Sequence, residues 1–245
     1  MSSGIPDVRG GGSRMRAGKV EKRMAAQRAA QRGASRRPHE PSWSERHQNL
    51  LILLGILLLT ALVYANSIRN GFVDFDDPEN VMDNFSIREW TGASISHWFT
   101  TPLQFMYTPL VYVSYAVDYQ IGGLSPQMYH VTNLTLHLAN VVLVYLLISA
   151  LIKRPFVAQF VALAFAIHPV NVDAVSWIAT RSNLLVTLFS LGAMLLYLRY
   201  LESRRWLHLG LAAGLFALAG PIANAYGNDA LAWPRLFHLG TIREA

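Results

Sequence analysis

Apolar residues along this chain come in long blocks rather than in alternation, which is the pattern of helices that cross a bilayer. "NLLILLGILLLTALVYANS" (49–67) is nearly all Leu, Ile and Ala. At ~1.5 Å per residue, a helix of that length crosses a hydrocarbon core of roughly 30 Å. "YHVTNLTLHLANVVLVYLLISALI" (129–152) is a second block of spanning length, stopped by Lys153, Arg154 and Pro155. "FVALAFAIHPV" (160–170), with Phe156 and Val157 ahead of it, is a third; it is short for a crossing and also fits a re-entrant segment. "LLVTLFSLGAMLLYLRYL" (184–201) is a fourth and "WLHLGLAAGLFALAG" (206–220) a marginal fifth. The polar-aromatic stretch 68–128 separates the first two. Within it, "MYTPLVYVSYAVDYQIGG" reads as an interfacial helix whose apolar pattern Asp118 interrupts, with a sixth transmembrane helix as the alternative. The predicted fold class is all-α: a polytopic helical membrane protein with about five spans over 49–221, a long loop at 68–128 and an atypical tail at 222–245.

Composition agrees with the blocks. Hydrophobic residues make up 52% and charged residues 15%, against about 25% charged in a typical soluble domain. With no cysteine, disulfides, thiolate metal sites and cysteine nucleophiles are excluded. The net charge of +6 is a local property. Residues 1–48 hold eleven of the 21 Lys and Arg against Asp7, Glu21, Glu40 and Glu45. Such a segment cannot bury a core and is expected to be a disordered tail. A basic flank abutting a span holds its side of the membrane in the cytoplasm. That explanation is preferred to a nucleic-acid arm, so no nucleic-acid partner is expected. The tail is too long and too basic for a signal-peptide head, and no small-residue cleavage site follows.

Charge also orients the blocks. The connection between the first two spans has Arg69 and Arg88 against seven acids. Lys153 and Arg154 follow span two, only Asp173 and Arg181 mark the 169–183 connection, and Arg199, Arg204 and Arg205 close span four. Basic and non-basic connections alternate, which predicts an amino terminus inside and the acid-rich loop outside.

Several polar residues stand where hydrocarbon is expected. His130, Asn133, His137 and Asn140 fall on one narrow face of span two. Polar groups in lipid face a bundle interior or a wet cavity; inter-helix hydrogen bonding alone would account for them. Two His seven apart are two turns distant, unlike the one-turn spacing of a helical zinc motif, so no metal site is expected. His168-Pro169 ends span three, because the residue before Pro is biased away from helix. Asp173, Trp177 and Arg181 follow at four-residue spacing, which puts them on one face of a short helix. "GFVDFDDPEN" (71–80) packs Asp74, Asp76, Asp77 and Glu79 together. Alone it would be a solvated turn, with Asp77-Pro78 as the turn chemistry. Clustered carboxylates nevertheless perturb one another's pKa and can act as general bases. Calcium ligation is a competing use, although the spaced acids of an EF-hand are missing. Asn84-Phe85-Ser86 fits a glycosylation acceptor in a eukaryotic host.

Taken together, "NGFVDFDDPENV", "YTPLVYVSYAVDYQIGGLSPQMYHVTNLTLHLANVVLVYLL" and "FAIHPVNVDAVSWIATRSNLL" resemble the amino-terminal membrane region of the protein O-mannosyltransferases that carry tetratricopeptide repeats, and their bacterial relatives. The likeness runs in order from about residue 50 to about 218. It implies a partial GT-C-like glycosyltransferase core without cofactor. The donor would be a polyprenyl- or dolichyl-phosphate sugar and the acceptor a protein Ser/Thr hydroxyl. The setting would be a bacterial cytoplasmic membrane or the endoplasmic reticulum membrane. The resemblance implies that Asp76 and Asp77 supply the catalytic base. It assigns His168, Arg181, His130, Asn133 and Asp173 to binding the donor phosphate and sugar. Thr108 stands where the family commonly has Arg, Asp173 where Glu is frequent, and Asn183 where Asp is frequent. After Ala219 the family's continuation gives way to "GPIANAYGNDALAWPRLFHLGTIREA", which has no apolar run of spanning length. A truncated product is therefore expected. The competing reading is a non-catalytic scaffold, a transporter fragment or an inactive remnant. Transport would place polar sites near midplane, whereas the notable polar residues here gather at one surface.

Overall fold

The computed structural model describes residues 22–24, 27, 42–101 and 107–224, the last four as backbone only. The expected disordered tail (1–48) lies largely outside the described residues, as does most of the tail at 222–245. The chain divides into two compact units, Met1–His47 and Gln48–Ala245, and the helical bundle belongs to the second. Among the described residues every regular element is helical. They are α1 (Trp43–Tyr64), α2 (Gly92–Thr100), α3 (Pro109–Gly122), α4 (Pro126–Ile152), α5 (Pro155–Ala166), α6 (Asn171–Ser176), α7 (Arg181–Ser203) and α8 (Trp206–Asn224), with short 3₁₀ or π turns between some of them.

The packing is that of a membrane protein. On α1, Leu50, Leu51, Leu54, Leu58 and Leu62 face outward, while Ile56, Thr60 and Tyr64 are buried. On α4 the polar residues His130, Asn133, His137 and Asn140 are the buried ones. Where lipid is the solvent, leucine is at no disadvantage on the outside, and polar groups must find partners within the bundle. Among the described residues, three helical stretches are long and apolar enough to cross a membrane: Trp43–Arg69, Pro126–Ile152 and Ile178–Ser203. The expected third and fifth spans correspond to shorter apolar helices, Pro155–Ala166 and Trp206–Gly220.

Side-chain contacts fix the direction of each pass. Gln159 at the start of α5 donates to Asn49 at the start of α1 (3.0 Å). Near the other end of α1, the ring of Tyr64 meets that of His137 on α4 at 5.3 Å. His137 Nε2 lies 2.9 Å from the Ala166 carbonyl at the end of α5. Arg181, opening α7, binds the Tyr129 carbonyl in the first turn of α4. So α1 rises toward one end of the bundle, the Arg181 end, and α4 descends from it. The segment α5–α6 returns to it, α7 descends, and α8 rises again along α7. With 12 residues, α5 covers only ~18 Å as a helix. It stops at the level of His137, and residues 167–180 complete the climb as a turn, α6 and a 3₁₀ turn.

Small residues let α5 approach closely. Ala158, Ala162 and Ala166, one turn apart, are fully buried, and the last two pack with Ile56 and Val141; backbones separated only by methyl groups maximise dispersion contact. Glycine is required where α3 turns into α4: Gly123 takes φ +60 and closes α3 on the Tyr119 carbonyl. A Cβ at Gly122 would meet the Met128 side chain at 2.9 Å. The segment expected to lie at the interface is thus the 14-residue α3, and it is not peripheral. Val111, Tyr112, Tyr115, Ala116 and Asp118 are all buried.

Candidate functional site

The acid-rich loop is held at the Arg181 end by its backbone as much as by its charges. Asp77 is fully buried. Its Oδ2 accepts the Val73 amide at 2.8 Å, which folds residues 73–77 into a tight loop. Its Oδ1 accepts the Ala179 amide at 2.9 Å, which docks that loop on the turn leading into α7. Phe75 adds a ring contact to Trp177 at 6.0 Å. Burial pushes the Asp77 carboxyl above the usual carboxylate range, against the opposing pull of the two amides and of nearby His130. Asp76 is only half-buried, and Asp74 and Glu79 are exposed. The backbone carbonyl of Asp76 accepts Asn80 Nδ2 at 2.8 Å, which ties the acid loop to the Pro78–Met82 turn.

The turn that receives Asp77 is itself fixed from three sides. Tyr115 of α3 donates to the Ile178 carbonyl (2.9 Å). Asn133 of α4 donates to the Trp177 carbonyl (3.2 Å). Thr180 Oγ1 binds the Asp173 and Trp177 carbonyls, both at 2.8 Å. Arg181 then runs inward, fully buried. Its Nε donates to Asn133 Oδ1 (2.7 Å), Nη1 to Ser114 Oγ (3.1 Å) and Nη2 to the Tyr129 carbonyl (2.9 Å). Asp118 pairs with Nη1 at 2.6 Å and accepts Thr132 Oγ1, also at 2.6 Å. The guanidinium lies 4.6 Å from the centre of the Tyr115 ring. Burial raises the Asp118 carboxyl while the Arg181 charge lowers it. Burial also pushes the Tyr112 phenol up to about 12; Tyr112 donates to Asn80 Oδ1 at 3.2 Å and so supports the acid loop from α3.

The residues singled out by sequence therefore divide. Asp77, Asn133, Arg181 and His130 come together at the 177–181 turn. His130 is buried beside Asp77, with the backbone of Gly71 and Asn70 close to its ring. His168 and Asp173 are exposed. His168 Nδ1 accepts the Val170 amide at 3.2 Å, and among the described residues no hydrogen bond or ion pair joins either side chain to the acid loop. Four of the five Arg181 N–H donors face Asp118, Asn133, Ser114 and Tyr129 within the bundle. The lower half of the α4 polar face is inter-helix glue: His137 faces the Ala166 carbonyl, and Asn140 donates to that of Leu184 at 3.0 Å. Beside it, His137, Asn140, Asn183 and Thr187 help line a cavity of about 280 Å³. Asn84 is buried, with Nδ2 on the Asn80 carbonyl. No cluster of three or more His, Asp or Glu suited to a metal ion occurs among the described residues.

Sequence reading missed Asp118. The signal was present: one acid inside "VYVSYAVDYQIG", and an ionisable residue within an apolar helix implies a partner. The two backbone amides that hold Asp77 carry no such signal.

Comparison with known proteins gives a consistent set of relatives. The chain is 29% identical over 168 residues to Protein O-mannosyl-transferase Tmtc1 of Drosophila melanogaster, covering 65% of this chain and 19% of that protein. A protein O-mannosyl-transferase of Caenorhabditis elegans is 31% identical over 183 residues, covering 68% of this chain and 25% of its own length. Human Protein O-mannosyl-transferase TMTC3 is 29% identical over 182 residues, covering 70% and 20%. The chain thus spans about a fifth to a quarter of the length of these curated relatives. No family model and no solved structure matches it.

Proposed function

Because the chain is a relative of the TMTC protein O-mannosyl-transferases, we propose that it forms the acid-loop portion of a membrane glycosyltransferase. The enzyme moves a sugar from a polyprenyl- or dolichyl-phosphate donor to a Ser/Thr hydroxyl of a protein. The observation that carries this reading is the contrast within the acid pair: Asp77 is buried and held by two amides, while adjacent Asp76 is half-exposed. A base must reach its proton and must also be held still. Asp77 supplies the hold and Asp76 the reach. In the reaction, the Asp76 carboxylate takes the proton of the acceptor hydroxyl as its oxygen attacks the anomeric carbon. The bond from that carbon to the phosphate oxygen breaks, and the lipid phosphate leaves with the electron pair. The leaving anion needs donors or positive charge. The resemblance offers His168 for that role and Asp173 for the sugar, both exposed, while the buried Asn133 and His130 stand behind the acid loop.

The same geometry supports an orientation. Lys153, Arg154, Arg204 and Arg205 fall at the end opposite Arg181, and basic connections stay in the cytoplasm. The acid loop then faces the exoplasmic side, where the acceptor would arrive.

The test is transfer of labelled sugar from a lipid-phosphate donor to a Ser/Thr peptide. It uses the purified chain in lipid discs and, in parallel, a full-length relative bearing the same acid pair. Asp76→Asn is expected to lower turnover by about 10²–10⁴-fold, the usual worth of a general base. Asp77→Asn is expected to act less steeply, through loss of loop order. An Asp76→Asn enzyme working at the wild-type rate would remove the assignment.

A further inference from the structure

Besides the packing of Phe72 against the buried core and the Tyr112–Asn80 hydrogen bond, a continuous chain of polar contacts connects the acid loop to α3. Asp118 on α3 pairs with Arg181 at 2.6 Å. Arg181 Nε donates to Asn133 Oδ1, which leaves the Asn133 amide nitrogen pointing at the Trp177 carbonyl. Two residues after Trp177, the Ala179 amide holds Asp77 Oδ1. Every side chain along this path is buried: Asp118, Arg181, Asn133 and Asp77. The amide of Asn133 can turn either face toward Arg181. A guanidinium can only donate, so it selects the oxygen, and the nitrogen is then left for the carbonyl of the turn. The charge of Arg181 thereby sets the orientation of Asn133, and Asn133 sets the turn. Arg181 in turn is held by Asp118, whose other oxygen is fixed by Thr132.

We infer that Asp118 is a positioning residue for the reactive acid loop, acting through Arg181 and Asn133 on the 177–181 turn that anchors Asp77. The inference rests on the reading of the Asp76-Asp77 loop as the base. It adds that the loop's geometry is set from α3, some forty residues away in sequence, and that Arg181 serves the reaction from behind the turn. The network also explains why a buried ion pair is kept where a packed apolar pair would hold two helices together equally well. An apolar pair cannot choose which end of the Asn133 amide faces the turn.

Hydrogen exchange followed by mass spectrometry on the purified chain in lipid discs reads this coupling without requiring turnover. In Asp118→Asn, amides in segments 71–80 and 174–182 are expected to exchange tenfold or more faster, while α5 and α8 keep their wild-type rates. Asp118→Glu, which retains the charge, is expected to recover most of the protection. Should Asp118→Asn fail to fold, the double variant Asp118→Asn with Arg181→Met leaves no orphaned charge. It is expected to keep its helices and still lose protection in both segments. On a preparation that turns over, Asp118→Asn should lower kcat by about tenfold or more at nearly constant donor KM, and displace the acid limb of the pH–rate profile. A mere strut would lower the yield of active protein and leave the profile alone. Wild-type exchange in both segments of a folded Asp118→Asn protein would overturn the positioning role. Absence of transfer by wild-type protein, with the exchange response intact, would instead overturn the glycosyltransferase reading and leave the coupling in place.

Discussion

The two ends of the bundle are built by different means. At the end opposite Arg181, α4 turns into α5 through Lys153-Arg154 and α7 turns into α8 through Arg204-Arg205. The corners are alike. In each, the first basic residue adopts left-handed backbone, with φ 52 at Lys153 and 54 at Arg204, and its amide caps the helix four residues back. Each corner needs only neighbouring residues. At the Arg181 end, the acid loop, α3, the top of α4 and the 177–181 turn meet through hydrogen bonds between residues as far apart in sequence as Asp77 and Ala179. Local chemistry suffices to reverse a chain. Holding a carboxylate in one place takes groups drawn from four separate segments.

The largest effect is expected from breaking the distant end. Arg181→Met would strand the Asp118 carboxylate in the interior. Removing one member of a buried pair typically costs about 3–5 kcal/mol. Thermal unfolding in lipid discs should show a loss of that order, and the accompanying Asp118→Asn change should restore much of it, since two neutral side chains leave no orphan. If Arg181→Met cost no more than a substitution at Lys153, the contrast between the ends would disappear.

A smaller effect tests the anchor itself. Burial raises the Asp77 carboxyl above its ordinary value of 3.8. Between that value and the raised one, the folded protein binds more protons than the unfolded chain, so stability falls as pH rises through this window. Wild type measured against Asp77→Asn should therefore be most favoured in acid and lose ground toward neutral pH. A difference that stays flat from the ordinary carboxylate range to neutrality would mean that the carboxyl is not buried as described.

The same contrast sets how much was legible in the sequence. Both basic corners could be read directly, because Lys153-Arg154-Pro155 and Arg204-Arg205 follow apolar runs and positive charge marks such connections. The polar face of α4 was legible from its spacing, and the acid cluster from its density. What could not be read was the division of labour. His130, Asn133, His137 and Asn140 share one face, yet two go to the 177–181 turn and its surroundings while two go to the backbone carbonyls of α5 and α7. Periodicity reports the face and is silent about the partner. A lone arginine near an interface looks available to a ligand, and in sequence Arg181 is such a residue. Its partner, Asp118, lies inside an apolar stretch that reads as an interfacial helix. The shortness of α5 was visible, but not that residues 167–180 would complete the pass outside the helix.

The smallest effect sharpens the other side. A non-glycine residue in left-handed backbone carries a penalty of about 1–2 kcal/mol. A basic residue at a helix C-terminus recovers about 0.3–1 kcal/mol through the helix dipole. Lys153→Gly removes both, and Lys153→Ala removes only the charge. Alanine should therefore be mildly destabilising. The difference between glycine and alanine isolates the backbone, apart from the greater freedom glycine gives the unfolded chain, which works against it. Glycine is expected to be the more stable of the two by a few tenths to about 1 kcal/mol in thermal unfolding. The same ordering is expected at Arg204, because the geometry there is the same. An alanine at least as stable as glycine at both corners would show that neither is held in left-handed backbone. The end opposite Arg181 would then depend on packing, like the other.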